Sequence, residues 1–99
     1  MNIKISKQAS NDLEEIWLYT LENWSKTQAD RYIKLILNEI DLIAENPTSG
    51  KDYSKIRKGY FCSSIKSHLV FYKINQKKQE IQVIRILHQR MDIETRLYE

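Results

Sequence analysis

Ninety-nine residues suffice for one domain with one core, burying about 60–65% of the surface the unfolded chain exposes, and a second domain does not fit. The net charge of +3 comes from interspersed acidic and basic residues without Lys/Arg runs, which excludes a dedicated nucleic-acid tail and gives no reason to expect sequence-specific nucleic-acid binding. No uncharged apolar run approaches the roughly eighteen residues of a membrane helix, no secretory pattern opens the chain, and a lone cysteine cannot form an internal disulfide, so the expected setting is the reducing cytoplasm.

Ile3 and Ile5 alternate with Asn2, Lys4 and Ser6, predicting a short first strand that ends at Ser6, a good N-cap type. Ala9, Leu13, Ile16, Trp17, Thr20 and Trp24 then recur at three- and four-residue spacing, the core stripe of a first helix, with Leu18 and Leu21 outside it. Ser25-Lys26-Thr27-Gln28 has the capping-box form and starts a second helix. Its stripe is Ala29, Ile33, Ile36, Ile40 and Ile43, but Tyr32, Leu35, Leu37, Leu42 and Ala44 widen the apolar arc to roughly 220° at ~100° per residue, more than one sheet face usually covers. The helix should stop at Asn46, because the residue before Pro47 is pushed out of the α region.

After the loop Thr48-Ser49-Gly50-Lys51 and a bend at Gly59, Tyr60 to Ile65 reads as a strand, within which Cys62 is a small apolar residue. Ser67 to His88 reads as a β-hairpin, dense in β-branched and aromatic residues, with a loop of about four or five residues at Asn75 to Gln79. A register with Ile74 opposite Glu80 puts the more apolar odd positions on one face and His68 and His88 together on the other, as diagonal neighbours roughly 7–8 Å apart at Cα. Gln89 to Asp92 forms a charged elbow, and Asp92 can cap a short C-terminal helix. The order strand, two helices, three strands implies an α+β fold, a helical hairpin packed on a small, mainly antiparallel sheet.

No Gly-rich phosphate loop, HExxH, CxxC or nucleophile elbow occurs, so neither metal nor cofactor is expected. The one constellation with chemical potential is His68, His88, Arg57, Arg85 and Arg90, imidazoles that move protons beside guanidiniums that hold phosphate, a set suited to metal-free RNA cleavage. The same residues also fit plain structural roles: histidines at strand ends accept hydrogen bonds, and an arginine within a strand pairs with a carboxylate such as Asp12 or Glu15. The surplus Leu18, Leu21, Leu35 and Leu42 are either ordinary surface leucines or a groove for a partner helix. The aromatics Trp17, Tyr19, Trp24 and Tyr32, at helical spacing, read as packing rather than base-stacking.

Along nearly its whole length the chain resembles the ParE toxins of the ParE/RelE superfamily. The resemblance is carried by Ala9, Asp12-Leu13 and Ile16, then Gln28-Ala29, Tyr32, Asn46-Pro47 and Gly50, then Arg57, Gly59-Tyr60 and Ser67 to Tyr72, and above all Ile84-Arg85-Ile86-Leu87-His88-Gln89-Arg90-Met91-Asp92. It implies a type II toxin–antitoxin module in which a ParD-like antitoxin wraps the toxin in a hetero-oligomer, with Leu18, Leu21, Leu35 and Leu42 as candidate contacts. For the ParE branch it implies poisoning of DNA gyrase by binding, with Arg57, His88, Arg90, Met91 and Asp92 as candidate target contacts and no catalytic residues. The RelE branch instead cleaves mRNA on the ribosome, which would draw on His88, Arg90, Arg85, His68 and Arg57. The resemblance implies that this branch uses a cationic residue just beyond the last strand, a place Arg90 can fill, and an aromatic hydroxyl further into the tail, where this chain has Asp92 to Arg96 and only Tyr98 beyond, so the ParE branch is favoured.

Overall fold

The computed structural model describes residues 1–98. In chain order it contains β1 (Asn2–Ile5), α1 (Lys7–Asn23), α2 (Lys26–Glu45), a 3-10 turn (Pro47–Ser49), β2 (Lys51–Asp52), β3 (Phe61–Ile65), β4 (His68–Asn75), β5 (Glu80–His88) and α3 (Ile93–Leu97). Capping sets the helix boundaries as expected. Ser6 Oγ accepts the Ala9 amide at 3.0 Å and Ser25 Oγ the Gln28 amide at 3.1 Å, each satisfying a donor that has no partner inside its helix. At the far end α2 stops at Glu45, with Asn46 outside the α region at φ −139° and ψ 75° ahead of Pro47.

The fold is the α+β arrangement expected, with one sheet in the order β1-β5-β4-β3-β2. β1 lies parallel to β5 and the other pairs are antiparallel. The two-residue strand β2, which hydrophobic pattern could not show in Lys51 and Asp52, covers the outer edge of β3.

The hairpin register differs from the sequence reading. Asn75, assigned there to the loop, pairs with Glu80, so that Ile74 faces Ile81 and a four-residue loop remains. An irregularity between Phe71 and Tyr72 then skips Ile84, and beyond it Val70 faces Ile86 and His68 faces His88. A bulge of this kind reverses which face a strand presents. It explains how Ile81 and Val83 share a core with Ile86 on the same strand although their numbering parity differs. It also places the histidines directly opposite one another, not on a diagonal.

Both sheet faces are covered. On one, Val70, Tyr72, Ile81, Val83 and Ile86 pack against Ala9 of α1 and Ile36, Ile40 and Ile43 of α2. On the other, Phe71, Leu87, Tyr60 and Cys62 pack against Leu97 of α3. Consecutive Phe71 and Tyr72 are both fully buried, one in each core, which is why β4 reads as a continuous apolar run. Cys62 is the small buried residue expected, and burial pushes its thiol up to about 11, so it is unreactive at neutral pH. Trp24 departs from its expected place in the core stripe. It caps the C-terminus of α1 just before the Ser25 cap, where the helical phase is lost, and is 65% exposed.

Candidate functional site

The sheet ends at one corner in paired histidines. His68 opens β4 and His88 closes β5, their ring centroids 5.2 Å apart and nearly perpendicular. Tyr32 on α2 reaches across so that its hydroxyl lies 2.6 Å from His68 Nδ1. Burial, and secondarily the neighbouring His88, lowers His68 to about 4, so it is neutral at physiological pH. The elbow then winds around His88: Gln89 N donates to Ser67 O, Met91 N to His88 O, and the Arg90 amide to His88 Nδ1 at 3.1 Å.

Two arginines of the constellation, Arg85 and Arg57, are held elsewhere. Arg85 is buried, donating from Nε and Nη2 to the two oxygens of Asp12 on α1 at 2.8 and 3.0 Å and from Nη1 to the Arg96 carbonyl. The Ile86 amide also donates to Asp12. Arg57 donates to the Leu97 carbonyl at 2.6 Å and lies over the Tyr98 ring at 4.6 Å, while the Tyr98 hydroxyl donates to Ile56 O. These two arginines therefore fasten the C-terminal segment to the body of the fold. Arg90, Met91 and Asp92 are exposed. Asp92 caps α3 through the Thr95 hydroxyl and amide, and those bonds hold its carboxyl below the usual range.

Of the four leucines, Leu18 and Leu42 are exposed, at 42% and 57%, while Leu21 and Leu35 are half-buried. A groove of about 710 Å³ opens beside the histidines, between α1, the start of α2 and the sheet end. His68, His88, Tyr32 and Met91 line it together with Tyr19 and Trp24, which meet edge to face at 6.1 Å and are more than 60% exposed. Sequence reasoning assigned those two rings to packing and missed the groove. The signal was there in Trp24, which directly precedes the Ser25 cap and so cannot lie on a continuous helical stripe.

The profile of the family described as "ParE toxin of type II toxin-antitoxin system, parDE" matches residues 3–93. The chain belongs to the ParE toxin family. It is 40% identical to Toxin ParE1 of Mycobacterium tuberculosis over 93 residues, 94% of each chain, and 34% identical to Toxin ParE1 of Caulobacter vibrioides over 94 residues, 95% of each. Among solved structures, the chromosomal ParDE toxin–antitoxin system from P. aeruginosa superimposes with a TM-score of 0.77 at 17% identity, covering 89% of this chain and 95% of that one. The RelBE2 toxin–antitoxin complex from M. tuberculosis gives 0.69 at 15% identity, covering 88% and 95%. These superpositions establish a fold common to ParE and RelE proteins, and the sequence match makes this chain the toxin component of a type II toxin–antitoxin system.

Proposed function

We propose that this ParE-family toxin inhibits DNA gyrase by direct binding, without catalysis and without a cofactor, and that a cognate ParD-like antitoxin neutralises it in the cytoplasm. The observation that carries this reading is the engagement of Arg85. Phosphoryl chemistry requires a cation free to stabilise developing negative charge. Arg85 is instead buried against Asp12, and Arg57 is turned to the Leu97 carbonyl. His68 is neutral and Asp92 puts a negative charge into the elbow beside Arg90, which further disfavours an RNA phosphate there.

In this reading Arg90, Met91 and Asp92 supply exposed contact to the target and His88 anchors the turn that presents them. Arg57 contributes by clamping the α3 segment that follows. Induced expression of the toxin is expected to cause DNA damage and filamentation while bulk mRNA stays intact. Cleavage of ribosome-bound mRNA would replace this reading with a RelE-like ribonuclease using His68 and His88, the pair that already sits 5.2 Å apart.

A further inference from the structure

The groove beside the histidines has apolar walls, yet its polar end has a defined hydrogen-bonding sense. His88 Nδ1 accepts the Arg90 amide, so the neutral ring carries its proton on Nε2. At His68, Nδ1 faces the Tyr32 hydroxyl at 2.6 Å. A phenol is a far stronger acid than a neutral imidazole N–H, so Tyr32 donates and His68 likewise keeps its proton on Nε2. Among the described residues neither Nε2 has a protein partner and no buried side-chain nitrogen or oxygen lacks one, so both N–H groups are open to solvent there.

The other charged groups lining this corner are Lys66 in the β3–β4 turn, Glu15 on α1, and Asp12, which Arg85 neutralises, and exposed Arg90 follows just beyond β5. Ligation of a metal through Nε2 would require the opposite tautomers, which would reverse the Tyr32–His68 bond and break the contact between the Arg90 amide and His88 Nδ1, so the pair presents two donors and not two ligands. Two N–H donors side by side ask for a two-oxygen acceptor such as a carboxylate, with Lys66 offsetting the charge of Glu15. Exposed Tyr19 and Trp24 ask for apolar cover, and about 710 Å³ holds a few side chains.

We propose that the groove seats one turn of the antitoxin, whose aspartate or glutamate accepts from the Nε2–H groups of both His68 and His88 while apolar residues a turn away cover Tyr19 and Trp24. This rests on the toxin–antitoxin reading above and adds the chemistry of the contact. It also supplies a means of neutralisation. His88 and Met91 belong both to the groove and to the elbow offered to the target, so an antitoxin seated here covers part of the surface through which the toxin acts.

The test uses 3-phenylpropionate and its neutral amide as probes on the isolated full-length toxin, followed through the imidazole N–H signals by NMR. The acid is expected to bind at about millimolar affinity, as its size allows, and to shift both imidazoles. The amide should bind at least tenfold more weakly, His88→Phe should weaken the acid at least fivefold, and cognate antitoxin should displace it one for one. Equal binding of acid and amide, or binding of neither, would overturn the proposal on the unmodified protein, whatever the variant does to the fold. Antitoxin that binds tightly without displacing the acid would overturn the occupant while leaving the toxin–antitoxin reading intact. Antitoxin that fails to bind at all would remove that reading, and the occupant with it.

Discussion

Asp12 and Arg85, seventy-three positions apart, meet in a two-pronged ion pair whose side chains are only 10% and 9% exposed. Through it α1, β5 and, by way of the Arg96 carbonyl, α3 are tied to one point. Breaking a buried pair from one side leaves a charge without compensation and costs about 3–5 kcal/mol. Asp12→Ala is therefore expected to lower unfolding stability by about that amount and to raise hydrogen exchange across α3. The double variant Asp12→Leu with Arg85→Met, which removes both charges, should be less destabilised than Asp12→Ala in the same urea titration.

This pair also shows how far the residues could be read in advance. Arg85 inside a strand, with carboxylates on the first helix, pointed to a structural pairing with Asp12 or Glu15, and burial of both partners selects Asp12. Caps at Ser6, Ser25 and Asp92 were legible because each depends on two or three adjacent residues. What depends on distant strands was not: the bulge that skips Ile84, the edge strand β2, and the contact between Tyr32 and His68, which joins residues 36 positions apart. The groove lay outside sequence reach for the same reason, since its walls come from α1, α2, the β3–β4 turn and the end of β5.

Tyr72 closes the loop after α2. Its fully buried side chain donates to the Pro47 carbonyl at 2.7 Å and accepts the Gly50 amide at 3.2 Å. Tyr72→Phe keeps the ring but strands both partners, so a loss of about 1–3 kcal/mol is expected. The measurement is a chemical denaturation midpoint, with an unchanged slope showing that the fold itself is retained.

His68 makes stability depend on pH. The native ring titrates at about 4 against 6.5 for a free imidazole, so between those values the unfolded chain binds a proton that the folded one does not. Stability should hold above about pH 6.5 and decline as the pH falls toward 4. His68→Gln should flatten this part of the thermal-melt profile, and a profile unchanged by the substitution would show that His68 is not the group responsible.

Leu42, 57% exposed on α2, should matter to the antitoxin and not to the fold. Leu42→Asp is expected to leave the melting temperature within a few degrees of the parent and to weaken the toxin–antitoxin complex by about tenfold or more, since a buried leucine contributes about 1.5–3 kcal/mol. Leu35, half-buried, should lose fold stability as well when replaced by Asp. Titration calorimetry beside thermal melts of the free variants distinguishes the two sites, and unchanged affinity for Leu42→Asp would place the interface elsewhere.

Inhibition of gyrase by binding alone is tested most directly with purified components: toxin, gyrase and supercoiled plasmid, and in parallel toxin with ribosomes translating a defined mRNA. Loss of supercoiling with accumulation of gyrase-bound cleaved DNA, dependent on Arg90 and Met91 and abolished by cognate antitoxin, is the expected result, with the mRNA left whole. Intact gyrase activity together with cutting of the ribosome-bound mRNA, lost on His88→Ala by about 10²–10⁴-fold as for a general acid or base, would contradict it.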